Sequence, residues 1–389
     1  MKSFSNPLLI VSDNPALPGG LSRMGRDLAS LCCTLPQFRV GYLGRGTGNT
    51  CRFPFVLYQY PESGQWGEAY IKDAWDDLAG SDEGVIITLD DPSRRHWFVN
   101  PTGLPTELAS FLGSGRNFKR WAYFPIDSVG PGGTTLSMAG RDCVARYDRV
   151  LAASEWACDV LRCGGRADAD WLPHGIIPTV FYPYKNAQSL LDWTGKVVVG
   201  AVMANQSRKD FPAAFECFAV LKAKYGNRFK AWLNTDVLMR YWNVYALAAD
   251  YGVGDCLEVS TGLNDDQLAL RYSACACTVL PTAGEGFGFP IAESLACGTS
   301  CVTTDYAAGK DLVPDDCRIR PMCFRVDTQH NVLRAVISGY AFAQAAIGQI
   351  EEKLADWDYR SEQTAASVTH LHWPNLRHLW ERWLLAGLK

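Results

Sequence analysis

The residues with the clearest chemical character lie between Thr278 and Val302, in the sequence TVLPTAGEGFGFPIAESLACGTSCV. A short apolar run ends at Pro281, a loop with three glycines follows, and Pro290 stands at a favoured first-turn position of a helical pattern. A glycine loop between a strand and a helix exposes backbone N–H groups at the positive end of the helix dipole. This arrangement suits a phosphate.

Two carboxylates flank the loop. Glu285 lies within it, and Glu293 follows eight residues later, about one turn into the helix. We expect both to face one crevice at the carboxyl end of a parallel sheet. Carboxylates only accept hydrogen bonds. Two of them on either side of a phosphate-binding loop therefore suit a ligand with hydroxyls at both ends, such as a nucleotide-sugar. The alternative interpretation is an ordinary strand, loop and helix with a charged, solvated face.

A basic pair, Arg208 and Lys209, follows a valine-rich strand expected at 196–203 and precedes a helix expected from about Pro212. Cations near a helix N-terminus are unfavourable unless an anion is present, so the pair predicts an anionic ligand. Arg offers a planar fork of donors and Lys a mobile point charge, and together they can neutralise a departing diphosphate.

The elements that position these residues alternate between strands and helices, which predicts parallel sheets. Near the start of the chain, a strand leads through a turn at Gly19 and Gly20 into a helix, without the GxGxxG spacing of a dinucleotide fingerprint. Asp91 and Asp127 each follow an expected strand. Because ligands bind at the carboxyl ends of such strands, both acids are candidate site residues.

Length and composition indicate a two-domain globular protein. The chain has 389 residues, 48% hydrophobic and 20% charged, with a net charge of −4. That charge gives no general attraction to nucleic acid or anionic membranes. Between Arg94 and Arg149, however, eight basic residues stand against four acidic ones, an excess compatible with an anionic acceptor or with a solvated face.

Other sequence features predict reduced cysteines and no metal site. The fourteen cysteines and six histidines lack zinc-ligand spacing. The first residues, MKSFSNPLLIVSD, contain an apolar run too short for a secretory signal, and no run is long enough to span a membrane. Asp168 and Asp170 form a DxD pair, a spacing that can hold a divalent cation against a diphosphate. Their surface-like, glycine-preceded context argues against that role here.

The segment around the two glutamates resembles the glutamate, seven residues, glutamate signature of the retaining glycosyltransferases of family 4, which have the GT-B fold. The positions that match this signature are Glu285, Gly286, Phe287, Gly288, Pro290, Glu293, Ala296 and Gly298. Arg208 and Lys209 stand where the family has its phosphate-binding basic pair. The resemblance extends over nearly the whole chain.

The resemblance implies a role for each matching residue. Glu285 contacts the donor sugar, the amides of the Gly286–Gly288 loop contact the diphosphate, and Glu293 holds the ribose hydroxyls. Arg208 and Lys209 stabilise charge on the departing phosphate. In the family the transfer needs no metal and no other cofactor, so none is expected here.

The first domain carries weaker matches. Gly19 and Gly20 correspond to a turn that lies under the diphosphate in the family, although a plain tight turn is the alternative. Many members have a histidine near the donor sugar where this chain offers Asp127. We interpret Asp127 as orienting the acceptor hydroxyl, with a helix-capping or turn aspartate as the alternative. His174 and Asp91 are possible cleft residues, and a structural histidine is the stronger interpretation of His174.

The implied architecture is α/β: the GT-B fold, with two Rossmann-like parallel-sheet domains facing each other across a cleft. We expect an acceptor-binding domain at 1–182, a linker at 183–195 and a nucleotide-sugar domain at 196–370. A C-terminal helix at 371–389 is expected to return to the first domain. From Asn331 onward the pattern reads as helical.

The implied activity is transfer of a hexose, with retention, from a nucleotide-diphosphate sugar to an acceptor hydroxyl. A UDP-sugar is the expected donor, and a glycan, a lipid-linked or a small-molecule acceptor remain open. A cytoplasmic protein is expected, with a peripheral position at the membrane surface as the alternative. The alternatives are action on a modified DNA base, a non-catalytic subunit of the same fold, and, with less support, an epimerase or a phosphorylase.

Overall fold

The computed structural model describes residues 5–48, 52–113 and 116–388. The chain divides into two compact units, one formed by Met1–His174 with Arg377–Lys389 and the other by Gly175–Leu376. Residues 175–182, expected at the end of the first domain, therefore belong to the second unit. Within the described ranges, no helix has both the length and the apolar character that a membrane span requires.

The first unit is built on a parallel sheet with the order β3-β2-β1-β4-β5-β6-β7. Its strands are β1 Asn6–Asp13, β2 Phe38–Arg45, β3 Val56–Tyr60, β4 Gly84–Leu89, β5 Phe118–Phe124, β6 Arg149–Ala152 and β7 Asp170–Trp171. Its helices before residue 174 are α1 Gly20–Cys33, α2 Ile71–Ala79, α3 His96–Val99, α4 Thr106–Leu112, α5 Met138–Ala145 and α6 Glu155–Cys163. The strand order reverses between β1 and β4.

The second unit repeats this plan, with the order β10-β9-β8-β11-β12-β13 and a separate hairpin of β14 and β15. Its strands are β8 Val197–Val202, β9 Phe229–Asn234, β10 Leu257–Ser260, β11 Cys277–Leu280, β12 Cys301–Thr304, β13 Arg318–Ile319, β14 Cys323–Asp327 and β15 Val332–Val336. Its helices are α7 Ala187–Leu190, α8 Phe211–Tyr225, α9 Val244–Asp250, α10 Asp265–Ala274, α11 Phe289–Ala296, α12 Gly339–Ala355 and α13 Trp357–Ser367, and α14 Trp373–Ala386 begins in it.

The sheets form because the central strands are continuous apolar runs, as expected when helices cover both faces. Leu8, Leu9, Ile10 and Val11 of β1 are completely buried. The expected parallel α/β class is therefore confirmed, and several helices begin at capping residues that can be read from sequence. Ser154, for example, accepts a 3.1 Å bond from the Ala157 N–H.

Two local expectations are wrong. The segment after Asn331 is first a strand, β15, which pairs antiparallel with β14, and a helix begins only at Gly339. Residues 332–336 form a short, mostly apolar run with Val at both ends, which suits a strand of a hairpin. The sequence of residues 239–251 also predicts one continuous helix, but α9 starts only at Val244, where the Asn243 side chain accepts from the N–H groups of Tyr245 and Ala246.

The C-terminal part of α14 packs within the first unit through aromatic side chains. Trp380 meets Tyr123 edge to face at 4.9 Å between ring centroids, and Trp383 meets Trp121 at 5.3 Å. The Arg149 guanidinium lies over the rings of Trp383 and Trp121, at 4.3 and 5.0 Å. These contacts hold the end of the chain against β5 and β6.

A buried lysine fixes the C-terminal end of α11. Lys353 of α12 donates to the Gly298 carbonyl and to the Ser361 hydroxyl, and lies 4.8 Å from the Trp357 ring centroid. A cation near the last carbonyls of a helix is favourable because of the helix dipole. Burial nevertheless lowers the pKa of Lys353 to about 8.

This lowered pKa predicts a pH-dependent contribution to stability. In the unfolded chain Lys353 regains its ordinary, higher pKa, so between pH 8 and the ordinary value the unfolded state binds more protons than the folded state. The free energy of unfolding of the wild type, minus that of Lys353→Met, should therefore rise as pH increases through this range. Urea unfolding at several pH values measures the difference. A difference that stays constant or falls would contradict a desolvated Lys353.

Candidate active site

The basic pair and the glycine loop follow neighbouring strands. β8 and β11 pair in the sheet of the second unit, at the point where the strand order reverses. The chain leaves β8 toward Arg208 and Lys209, and leaves β11 toward the Gly284–Gly288 loop. In open parallel sheets the crevice at such a reversal is where ligands bind. Sheet topology alone therefore brings these two segments to one edge.

Backbone hydrogen bonds join the two segments directly. The Ala283 N–H donates to the Arg208 carbonyl at 2.8 Å, and the Asp210 N–H donates to the Pro281 carbonyl at 3.1 Å. Lys209 and Thr282 form an antiparallel bridge between these bonds. The basic pair is thus held at a fixed distance from the start of the glycine loop.

The side chains form a charged cluster. Lys209 Nζ and the Arg208 guanidinium both contact Glu285 Oε2, the latter at 3.5 Å, and Arg208 also donates to the Gly284 carbonyl at 2.8 Å. Lys209 is 4% exposed and Glu285 is 8% exposed. Two cations share one carboxylate, so these three side chains carry a net positive charge. Such a group is suited to a further anion.

The glycine loop is supported from two sides. The Ala308 N–H donates to the Glu285 carbonyl at 3.0 Å, and the Ala335 N–H of β15 donates to the Ala283 carbonyl at 3.3 Å. Gly288 caps α11 with a φ of 98°, a conformation that disfavours any side chain. Gly286, Phe287 and Gly288 are all buried. The loop therefore has a defined conformation within the second unit.

Glu293 has a different partner from Glu285. It lies on α11, is 3% exposed, and accepts a 3.1 Å hydrogen bond from the Tyr272 hydroxyl of α10. Burial, reinforced by the Glu293 charge, raises the pKa of Tyr272 well above its ordinary value, so Tyr272 stays a neutral donor. The sequence predicts that both glutamates face one crevice. In the structure Glu285 contacts the basic pair, and the Tyr272 hydroxyl orients Glu293. Tyr272 could not be identified from sequence, because nothing there distinguishes it from a core aromatic residue.

Gly19 and Gly20 lie at the start of α1 in the first unit. Gly19 is the N-cap, with a φ of 139°, and both glycines are exposed. No capping side chain accepts a hydrogen bond from the first backbone N–H groups of this helix. The geometry is compatible both with an anion contact and with the plain turn considered from sequence.

Asp91 and Asp127 lie near each other at the carboxyl ends of β4 and β5. The Asp91 carboxylate accepts from the Ser93 N–H at 2.7 Å and caps a short 3₁₀ turn, and Asp127 accepts from the Ser128 hydroxyl at 2.8 Å. Desolvation raises the pKa of Asp91, and the negative charge of Asp127 raises it further. Asp127 does not cap a helix, because the N-cap of the next helix, α5, is Ser137.

His174 occupies an internal position in the first unit. Its side chain is fully buried, and its Nε2 lies 3.3 Å from Asp27 Oδ2 of α1. Burial lowers the pKa of His174, and the Asp27 carboxylate opposes this shift. The neutral imidazole therefore ties the end of the first unit to α1, which agrees with the structural interpretation.

Most of the eight basic residues between Arg94 and Arg149 have ion-pair or hydrogen-bond partners within the first unit. Arg94 and Arg95 pair with the buried Asp90 at 3.2 and 2.8 Å, while Arg116 and Arg146 pair with Asp148 and Asp142. Arg149 donates to the Trp383 carbonyl at 2.7 Å. These five arginines therefore have partners within the first unit.

The DxD pair is also accounted for locally. Asp168 forms a two-point ion pair with Arg166, at 2.8 and 2.9 Å, and Asp170 belongs to β7. Across residues 5–48, 52–113 and 116–388, no three His, Cys, Asp or Glu side chains are grouped as metal ligands.

The buried pairing of Glu285 with Lys209 predicts an asymmetric response to substitution. Glu285→Ala leaves a buried ammonium without its carboxylate and should lower the free energy of unfolding by about 3–5 kcal/mol. Glu351→Ala is the matched control, because it breaks an exposed pair with Lys224 and should cost no more than about 1 kcal/mol. Urea unfolding compares the two variants. Equal small losses would show that the cluster is solvated and not a fixed part of the site.

The comparisons with known proteins agree with this geometry. Residues 241–317 match the family model described as glycosyl transferases group 1. A 110-residue segment is 27% identical to the serotype-specific mannosyltransferase WbdA of Escherichia coli, covering 28% of this chain and 14% of that protein. The chain thus aligns with only a small part of this relative's length.

Solved structures match over almost the full chain. The sucrose-phosphate synthase from Thermosynechococcus elongatus has a TM-score of 0.74 at 17% identity, with 98% of this chain and 100% of that one covered. HepE of Anabaena, solved with UDP and glucose, has a TM-score of 0.70 at 14% identity, covering 98% and 99%. Residues 241–317, with Glu285 and Glu293 among them, therefore match the glycosyl transferases group 1 family model, and the chain has the GT-B fold.

Proposed function

We propose that this protein is a metal-independent, retaining glycosyltransferase that moves a hexose from a UDP-sugar to an acceptor hydroxyl. One observation carries the proposal: Arg208, Lys209 and Glu285 meet at the strand-order reversal of the second unit, beside a glycine loop that leads into α11. The region matched by the family model includes that loop. The mannosyltransferase relative and the UDP complex of HepE support a nucleotide-diphosphate sugar as donor.

In the proposed mechanism the basic pair binds the diphosphate. As the bond between the anomeric carbon and the β-phosphate oxygen breaks, negative charge builds on that oxygen. Arg208 and Lys209 stabilise it, together with the amides of the Gly286–Gly288 loop and the dipole of α11. Preorganised charges are effective in a water-excluded site because they need little reorganisation during the reaction.

Glu285 has two tasks in this proposal. Without ligand its carboxylate compensates the charge of Lys209 in a nearly buried position. With donor bound, it accepts hydrogen bonds from the sugar hydroxyls while the phosphate takes over part of the compensation. Glu293, held by Tyr272, accepts from the ribose hydroxyls.

The proposed route retains the anomeric configuration through attack on the face from which the phosphate departs. The acceptor oxygen forms a bond to the anomeric carbon, the bond to the β-phosphate breaks, and the departing phosphate oxygen takes the acceptor proton. Asp127, with Asp91 beside it, is proposed to orient the acceptor hydroxyl in the first unit. We do not extend the proposal to DNA, since Arg94 and Arg95 pair with the buried Asp90 and Arg116 pairs with Asp148.

Nucleotide binding tests the donor assignment. UDP should raise the Tm of the wild type, because a ligand bound by the folded state alone stabilises it. Arg208→Gln should weaken UDP binding by about 10- to 100-fold, the range expected for a lost charge-assisted hydrogen bond. Arg228→Gln, on an exposed turn of the same unit, is the matched control and should bind like the wild type.

The same variants separate an enzyme from a binding subunit. An enzyme releases UDP from a UDP-sugar, and Arg208→Gln should slow this release. The proposal would be withdrawn if none of UDP, GDP and ADP shifted the wild-type Tm, or if Arg208→Gln bound UDP as the wild type does. Binding of UDP without any turnover across donor sugars and hydroxyl acceptors would favour the non-catalytic alternative.

Removal of divalent cations tests whether the proposed transfer is independent of metal ions. Two cationic side chains supply the charge that a metal ion supplies in other transferases, so the rate should be unchanged in excess EDTA. NMR of the product formed in EDTA should show the anomeric configuration of the donor. Loss of activity with EDTA that Mg²⁺ or Mn²⁺ restores, or an inverted product, would contradict the proposed mechanism.

A further inference from the structure

A completely buried asparagine organises the segment beside the basic pair. Asn205 lies after β8, and its side chain bonds three backbone groups. Nδ2 donates to the Val237 and Trp242 carbonyls at 3.1 and 2.8 Å, and Oδ1 accepts from the Trp242 N–H at 3.0 Å. Its own N–H donates to Asp236 Oδ1 at 2.6 Å. The side-chain amide is thus committed to holding the loop of residues 236–243.

Trp242 carries this connection to the charged cluster. Its indole Nε1–H donates to the Lys209 carbonyl at 3.0 Å. The Lys209 backbone is also bridged to Thr282, and its ammonium pairs with Glu285. A continuous set of hydrogen bonds therefore runs from Asn205 through Trp242 to the residue proposed to bind the diphosphate.

The 236–243 loop contributes little to the apolar core. Val237, Met239 and Tyr241 are 40%, 70% and 53% exposed, and Trp242 itself is only partly buried. If apolar packing held this loop in its conformation, these side chains would be buried. Here a buried amide and an indole N–H fix the loop, and buried polar networks of this kind specify one geometry when they are fully satisfied.

We propose that Asn205 and Trp242 are positioning residues for Lys209, which hold its backbone so that its ammonium meets the diphosphate of the donor. This inference rests on the proposed function. Neither side chain is assigned a contact with the ligand: Asn205 fixes Trp242, and Trp242 fixes Lys209. Loss of the indole bond leaves the Lys209 carbonyl with the Phe211 N–H, at 3.0 Å, as its remaining donor. Small displacements of a positioned group weaken binding and catalysis strongly.

Trp242→Phe tests the inference, because it keeps an aromatic ring and removes the indole N–H. UDP should bind this variant about tenfold more weakly, as expected for a lost hydrogen bond that orients a charged group. Uridine, which lacks phosphates, should bind as it does to the wild type. Asn205→Asp, which replaces the two amide donors by a carboxylate facing two carbonyls, should show the same selective loss. Isothermal titration calorimetry measures all of these affinities.

Trp193→Phe is the matched control. It also removes an indole N–H donor, in this case one that bonds the Glu258 carboxylate at 3.1 Å in another part of the second unit. It should leave the ratio of UDP to uridine affinity unchanged. A purely structural role of Trp242 would lower the Tm without altering that ratio, so Tm is recorded for each variant.

The outcomes separate the two proposals. If the wild type binds none of UDP, GDP and ADP, the proposed function fails. If the wild type binds UDP, and Trp242→Phe and Asn205→Asp bind UDP and uridine with wild-type affinities, the positioning inference fails while the proposed function stands. Equal losses of UDP and uridine affinity would also overturn it, because Lys209 acts on the phosphates alone.

Discussion

The ion pair between Lys209 and Glu285 is the interaction on which the account of this site depends. Both side chains are nearly buried, and a buried charge is costly unless a partner of opposite sign compensates it. Arg208 adds a second cation to the same carboxylate. In the proposed function, this cluster of two cations and one anion forms before the ligand arrives, so a further negative group binds with little reorganisation of the site.

Sheet topology explains how residues 76 positions apart in the sequence meet. The strands that precede them are neighbours because the chain reverses its order between β8 and β11, so both loops open at one edge. Backbone bonds then set the spacing of the loops, and three further elements fix their details. These are the hairpin strand β15, the 3₁₀ segment after β12 and the loop held by Asn205. The GT-B fold supplies the edge, while these local contacts supply the geometry.

Much of this could be predicted from sequence, because the decisive signals are local. Valine-rich runs, glycine spacing and capping residues identified the sheets, the loop and the two glutamates. The roles carried over from the resemblance remain predictions. The sequence did not reveal the hairpin β14–β15, since its two short strands lack the apolar and polar alternation that would distinguish them from a helical pattern. It also missed Asn205, Tyr272 and Lys353, whose importance lies in distant partners: a loop after β9, a carboxylate on α11 and the carbonyl of Gly298.

A crystal structure of the protein with UDP would show whether Arg208, Lys209 and the Gly286–Gly288 loop bind one diphosphate. We expect the β-phosphate within hydrogen-bond distance, about 3 Å, of the Arg208 and Lys209 side chains and of at least one loop amide. We also expect the ribose hydroxyls to lie against Glu293. UDP bound elsewhere, or bound here with Lys209 still paired only with Glu285 and the phosphates in solvent, would rule out this diphosphate site.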